Sequence, residues 1–472
     1  MIWTPRAWLT DTATRGWRSD VLLKINGRGE WASIESNTPR EAAAARGAQC
    51  LNEALLPSPV NTHSHAFQRA FAGLSERRVG DRDDFWSWRD RMYQVALAIS
   101  PEQLKSIASQ LYVELLRGGY THVCEFHYVH HDVDGSPFHH PFAMTDALID
   151  AACEVGIGLT VLPVLYERAG FAAPALRDDQ RRFATNVEFV ISLQDYVNAR
   201  GIANETPLNA GVAIHSLRAA KPDSIRSLAE RVRGPIHIHV AEQTGEVDDC
   251  LASTGLRPVE WLAAQGLLDP RWHLVHATHV TQQEIHAVSK AGAGVVLCPT
   301  TEANLGDGLT DVAAWFDAGV ASSIGSDSHV NRDWREELRL LEYGQRLQRR
   351  QRNVIAAPQQ FDGSTAARAF SIAVDAGAAA AGLPGWGLRV GARADALCVN
   401  HHQAALFGVP DRHTLDALVF SSPAAPFDAV MVAGRWVLGA NDDASRAGVV
   451  SGQANSIERD FAAAMRRLHR SN

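Results

Sequence analysis

Between residues 55 and 327 the chain repeats one pattern, a short apolar run of β type followed by a longer amphipathic stretch. Eight such runs can be read: LLPSPVN (55–61), YTHVCEF (120–126), GLTVLPVL (158–165), LNAGVAIH (208–215), PIHIHVA (235–241), WHLVHA (272–277), AGVVLC (293–298) and VASSIGSD (320–327). Strands separated by helical crossovers pair in parallel. Eight of them predict an α/β fold of the closed (β/α)8, TIM-like barrel type, in which chemistry sits on the loops at the C-terminal strand ends. An open doubly wound sheet is the alternative, but the Gly-rich phosphate fingerprint after a first strand is missing. Helix ends are also legible: Ser100, Pro101 and Gln103 spell an N-cap with a capping box, Leu104, Ile107, Leu111 and Leu115 supply a buried stripe, and Gly118 stops the helix.

Residues 1–57 and 386–472 read differently, with pieces such as SDVLLKI, RADALCV and DAVMVAGRWVL separated by Gly, Asp and Asn. They predict a small β-sandwich domain built from both chain ends, which the barrel at 58–385 interrupts. A length of 472 residues suits one large domain plus one smaller one. In the last stretch, Ile457, Phe461, Ala464 and Leu468 are spaced for a helix, and its arginines complement the helix C-terminus.

Composition narrows the function. No apolar run approaches a membrane span, and the first twenty residues carry no signal-peptide core, so a cytoplasmic protein without membrane partners is expected. Six cysteines, at 50, 124, 153, 250, 298 and 398, form no CxxC pair, which argues against a disulfide framework or a thiolate zinc site. Forty-five Lys and Arg against 53 Asp and Glu give a net charge of -8, which disfavours nucleic acid as a partner and leaves small-molecule work.

The 20 histidines gather at strand ends, in HSH, EFHYVHH, AIH, IHIH and LVHATH. Residues i and i+2 of a strand share a face, so His63 and His65 are able to present two imidazoles to one ion. Taken alone, HxH is a weak signal and more often marks polar residues in a turn than a metal pair. The other strand ends agree with the metal reading: the fifth ends in His239, the sixth in His276 and the eighth in Asp327. His237, deeper in the fifth strand, reads as filling the barrel interior. His63, His65, His239 and Asp327 make an N3O set that suits one divalent metal ion, zinc before other first-row ions, with a position left for water. Glu242, three residues past His239, is placed either to reach that water or a leaving group, or to face a helix N-terminus. His276 is either a supporting core histidine or a group that polarises substrate.

These residues resemble the amidohydrolase superfamily. Its pattern of HxH after strand one, His at strands five and six and Asp after strand eight maps onto His63, His65, His239, His276 and Asp327, and GARADALCV and VMVAGRWVL resemble its split β domain. HVAE is similar to the deaminase branch, which implies one metal and a catalytic trio of Glu242, shuttling protons, His276 and Asp327. NTHSHAFQRAFAGL, DDFWSWRDRMY, EFHYVHHD and CPTTEANLGDG resemble the formimidoylglutamate deiminases, iminohydrolases of histidine degradation that convert N-formimino-L-glutamate and water to N-formyl-L-glutamate and ammonia. That resemblance implies a substrate with two carboxylates, contacts from Gln68, Arg89, Tyr128, His215 and Arg218, and a homodimer. Without it, Arg82, Arg89 and Arg91 are equivalent choices, and Trp86, Trp88 and Tyr93 read as loop packing. A deaminase or chlorohydrolase of the same branch, acting on a purine, pyrimidine or triazine, is the competing reading, and a barrel that binds without catalysing is a third.

Overall fold

The computed structural model describes residues 1–13, 15–78, 81, 83–202, 205–439 and 448–469. Eight parallel strands close on themselves: β1 (Asn61–Ser64), β2 (His122–His127), β3 (Gly158–Leu165), β4 (Leu208–Ala210 and Val212–Ile214), β5 (Ile236–Val240), β6 (Trp272–His276), β7 (Gly294–Leu297) and β8 (Ala321–Ile324). The closure is the pairing of Ile324 in β8 with Asn61 in β1. All eight residues of β3 are buried, as expected of a parallel strand covered on both faces. β4 breaks at Gly211, where a Cβ would meet the Pro235 carbonyl oxygen at 2.7 Å and Leu162 Cδ2 at 2.9 Å, so only glycine lets the neighbouring chain come this close.

The helix Pro101–Arg117 has the predicted ends: Ser100 Oγ accepts from the Gln103 N–H at 3.2 Å, and Gln103 Oε1 accepts from the Ser100 N–H at 2.9 Å. Leu104, Ile107, Leu111 and Leu115 are buried along one stripe. The first predicted strand, 55–61, is divided in the structure. Leu55–Leu56 pairs outside the barrel with Ile2–Leu9 and Ala396–Val399, and β1 begins only at Asn61. Pro57 and Pro59 lie between the two pieces, and with no N–H to donate they interrupt a ladder.

The strands that the sequence assigns to a small β domain lie in one mixed sheet of eight strands from both chain ends. Its core includes Leu9, Leu23, Trp31, Leu388, Cys398 and Met431. Trp386 ties this region to the barrel by donating its indole N–H to the Ser58 carbonyl at 2.6 Å. The helix Ala454–Leu468 buries Ile457, Ala464 and Leu468, the face the spacing predicts. Among the described residues no helix is long and apolar enough to cross a membrane.

Candidate active site

The C-terminal ends of three strands carry non-glycine residues with left-handed backbone: Ala241 (φ 52°) after β5, His276 (φ 68°) and Ala277 (φ 45°) at β6, and Asp327 (φ 47°) and His329 (φ 62°) after β8. Each costs roughly 1–3 kcal/mol and persists where surrounding bonds over-determine it. Here the Asp327 N–H donates to the His63 carbonyl at 3.0 Å and the His65 N–H to the Asp327 carbonyl at 3.2 Å. The HxH segment and the aspartate are thus locked to one another before any side chain is considered.

Their side chains converge. His63 Nε2 lies 3.4 Å and His65 Nε2 3.3 Å from Asp327 Oδ1, and His239 Nε2 lies 3.0 Å from His63 Nε2. Donors placed tetrahedrally about 2.0–2.2 Å from one ion stand roughly 3.3–3.6 Å apart; the two distances to Asp327 match this, while His239 joins the cluster through His63, at a closer approach. The supporting contacts fit as well. His65 donates from Nδ1 to the Phe126 carbonyl at 2.9 Å, which leaves Nε2 with its lone pair facing inward, and Phe126 stacks on the His239 ring at 4.3 Å. Burial drives the His63 imidazole down to about 3 and the His65 and His239 imidazoles down as well, which favours their neutral forms. Burial opposes charge on Asp327 too, but the hydrogen bond from His63 and the surrounding imidazoles outweigh it and keep the carboxyl ionised. His237 lies deeper, with Nε2 2.8 Å from the Ala380 carbonyl.

Beside this cluster, His276 Nε2 stands 3.7 Å from Glu242 Oε1 and 3.8 Å from Asp327 Oδ2. Burial pushes the Glu242 carboxyl up to about 7; His276 opposes the shift, and Asp327 and Glu246 add to it. For His276 burial disfavours the charge, but Glu242, Glu302 and Asp327 together prevail and raise it well above the ordinary imidazole range. Glu246 was missed by the sequence reading: its carboxylate accepts the Ala241 and Glu242 N–H groups, each at 3.2 Å, and so fixes the turn that presents Glu242.

A narrow pocket, with a cavity volume of about 50 Å³, opens above these groups. His65, His239, Glu242, His276 and Asp327 line it, and His63 lies wholly buried in contact with them. Gln68, Arg89, Tyr128, His215 and Arg218 line the same pocket, so the structure places these five beside the histidines, Glu242 and Asp327. Gln68 donates from Nε2 to the Tyr128 hydroxyl at 3.1 Å, and His215 packs against Tyr166 at 4.4 Å. The guanidinium groups of Arg89 and Arg218 lie 4.8 and 5.1 Å from the Trp86 ring, so this tryptophan holds both cations rather than merely packing the loop. Arg91 is engaged elsewhere, with the Ser75 and Arg77 carbonyls and Asp83, and Arg82 lies outside the described residues. A larger cleft of about 740 Å³, bordered by Arg346, Arg412 and Asp416, includes none of these residues.

Gly325 shows how tightly the site is built. A Cβ there would meet His63 Cβ at 2.6 Å and the His63 backbone N and O at 2.9 Å. Backbone cannot swing aside as a side chain does, so Gly325→Ala is expected to destabilise the fold by about 1–3 kcal/mol and to weaken metal retention. Thermal unfolding together with metal content checks this; an unchanged midpoint with full metal content would contradict it.

Residues 54–437 match the model of the amidohydrolase family. The chain is 43% identical over 431 residues to formimidoylglutamate deiminase of Pseudomonas aeruginosa, covering 90% of this chain and 92% of that one. An amidohydrolase from Brucella melitensis superposes with a TM-score of 0.89 at 40% identity, over 99% of both chains. Atrazine chlorohydrolase from Arthrobacter aurescens, solved with zinc, superposes with a TM-score of 0.79 at 19% identity over 98% of this chain and 100% of that one, a likeness of fold alone. The chain belongs to the amidohydrolase family, within the group that contains formimidoylglutamate deiminase.

Proposed function

We propose that the chain hydrolyses N-formimino-L-glutamate to N-formyl-L-glutamate and ammonia in histidine degradation, using one divalent ion, zinc first, held by His63, His65, His239 and Asp327. The observation that carries this reading is one pocket lined both by proton-handling groups and by two arginines. When bound, the ion supplies Lewis acidity and brings the ionisation of water near neutral pH. Asp327 takes the proton of the attacking water as its oxygen bonds to the formimino carbon. His276 hydrogen-bonds at the reacting centre and steadies the charge that develops there. Glu242 gives its proton to the imino nitrogen as the C=N π bond opens; the proton held by Asp327 then passes to the same nitrogen, the hydroxyl proton returns to Glu242 as C=O forms, the C–N bond breaks and ammonia leaves.

Arg89 and Arg218 offer planar forks that match the two carboxylates, with Gln68, Tyr128 and His215 as hydrogen-bonding neighbours. Holding both carboxylates fixes the approach of the reacting carbon. Arg89→Met and Arg218→Met are each expected to raise KM about 10–150-fold, the worth of hydrogen bonds to a charged group. Steady-state kinetics reads this directly, and an unchanged KM in either variant would remove that arginine from substrate binding. The same proposal sets the enzyme in the cytoplasm as a homodimer, and light scattering measures the assembly.

Product identification tests the reaction itself. N-formyl-L-glutamate with one equivalent of ammonia is the expected pair, whereas L-glutamate with formamide would mean that the other C–N bond is cut.

A further inference from the structure

His276 needs its ring held in one orientation, and its own strand does not supply this, since the residue sits at a left-handed turn at the end of β6 (φ 68°). The nitrogen that faces Glu242 and Asp327 is Nε2. The other nitrogen, Nδ1, points away from them to Glu302 Oε1 at 3.3 Å.

Glu302 is built for that contact. It is buried, on the helix Pro299–Leu305 that follows β7, within the CPTTEANLGDG segment. The oxygen that faces His276 also accepts the Cys298 N–H at 2.9 Å, which fixes its direction. Its helix is pinned on both sides. Thr300 donates to Glu337 from its N–H at 3.0 Å and its hydroxyl at 2.6 Å, and the Asp307 N–H closes on the Glu302 carbonyl at 2.9 Å. Among the described residues, His276 is the one side chain within ion-pair distance of Glu302, so the carboxylate has no competing cation.

We propose that Glu302 is a positioning residue for the reaction: it accepts the Nδ1–H of His276 and so keeps Nε2 as the nitrogen presented to the reacting centre. A carboxylate behind a catalytic imidazole fixes its ring plane and direction, and replacing it by an amide weakens that hold while leaving shape intact. The inference rests on the proposed role of His276 and adds to it a residue that touches neither substrate nor ion.

The test compares Glu302→Gln, Glu302→Asp and His276→Asn, each loaded with zinc, in ammonia release from N-formimino-L-glutamate. For Glu302→Gln, kcat is expected to fall about 10²-fold or more while KM stays within about threefold, the signature of an interaction used in the transition state. Its metal content and its dissociation constant for N-formyl-L-glutamate are expected to match the wild type, and Glu302→Asp is expected to recover part of kcat. A Glu302→Gln enzyme with wild-type kcat beside an inactive His276→Asn enzyme would overturn the positioning role alone. Loss of metal and of product binding together with kcat would also overturn it, because Glu302 would then only hold the fold. A fully active His276→Asn enzyme would overturn the parent reading and this inference with it.

Discussion

Glu242→Gln, with its metal retained, is expected to turn over N-formimino-L-glutamate about 10²–10⁴-fold more slowly than the wild type, the usual worth of a positioned general acid or base. The geometry explains why the amide cannot substitute. Glu242 is buried, its turn is fixed by Glu246, and it stands 3.7 Å from His276, so an isosteric amide keeps the position and loses only the transferable proton. Burial pushes the carboxyl up to about 7, where it both takes and gives a proton near neutral pH. The check is kcat beside metal content: near-normal turnover with a full complement of metal would take Glu242 out of the proton path.

Removing the ion with a chelator is expected to lower activity about 10³-fold or more, since the lost charge stabilisation amounts to several kcal/mol and each 1.36 kcal/mol is tenfold in rate. Added zinc is expected to restore the wild type. His239→Ala is expected to stay inactive on zinc addition, because it removes one of three neutral nitrogen donors and leaves Asp327 opposed by His63 and His65 alone. Metal analysis of the chelated and restored samples accompanies the assay. Full activity in a metal-free sample would contradict the ligand assignment.

The parts of the site that were legible in the sequence are those whose spacing is set by a strand. His63, His65, His239, His276 and Asp327 each close a β run, and a closed parallel barrel brings all such ends to one mouth. Less legible were the groups whose direction depends on packing. Arg89 and Arg91 lie two residues apart on the helix Phe85–Ala98, about 200° around its axis, so only one of them faces the pocket, and nothing local orients the helix. Family resemblance chose Arg89, which lines the pocket beside Trp86. Glu246 and Glu302 escaped notice because their work is done through contacts made after folding, on backbone N–H groups and on a ring from another strand. The division of the first predicted strand followed from Pro57 and Pro59, a signal present in the sequence but outweighed there by the apolar run around it.

The most direct measurement of the central claim is ammonia release by the zinc-loaded enzyme from N-formimino-L-glutamate, N-formiminoglycine and guanine, compared as kcat/KM. A pocket with two arginines beside its proton-handling groups predicts turnover of the glutamate derivative, at least about tenfold lower efficiency for the glycine derivative, which lacks one carboxylate, and none for guanine. Release from guanine with none from the glutamate derivative would contradict it, leaving the barrel and its histidines in place and the substrate wrong.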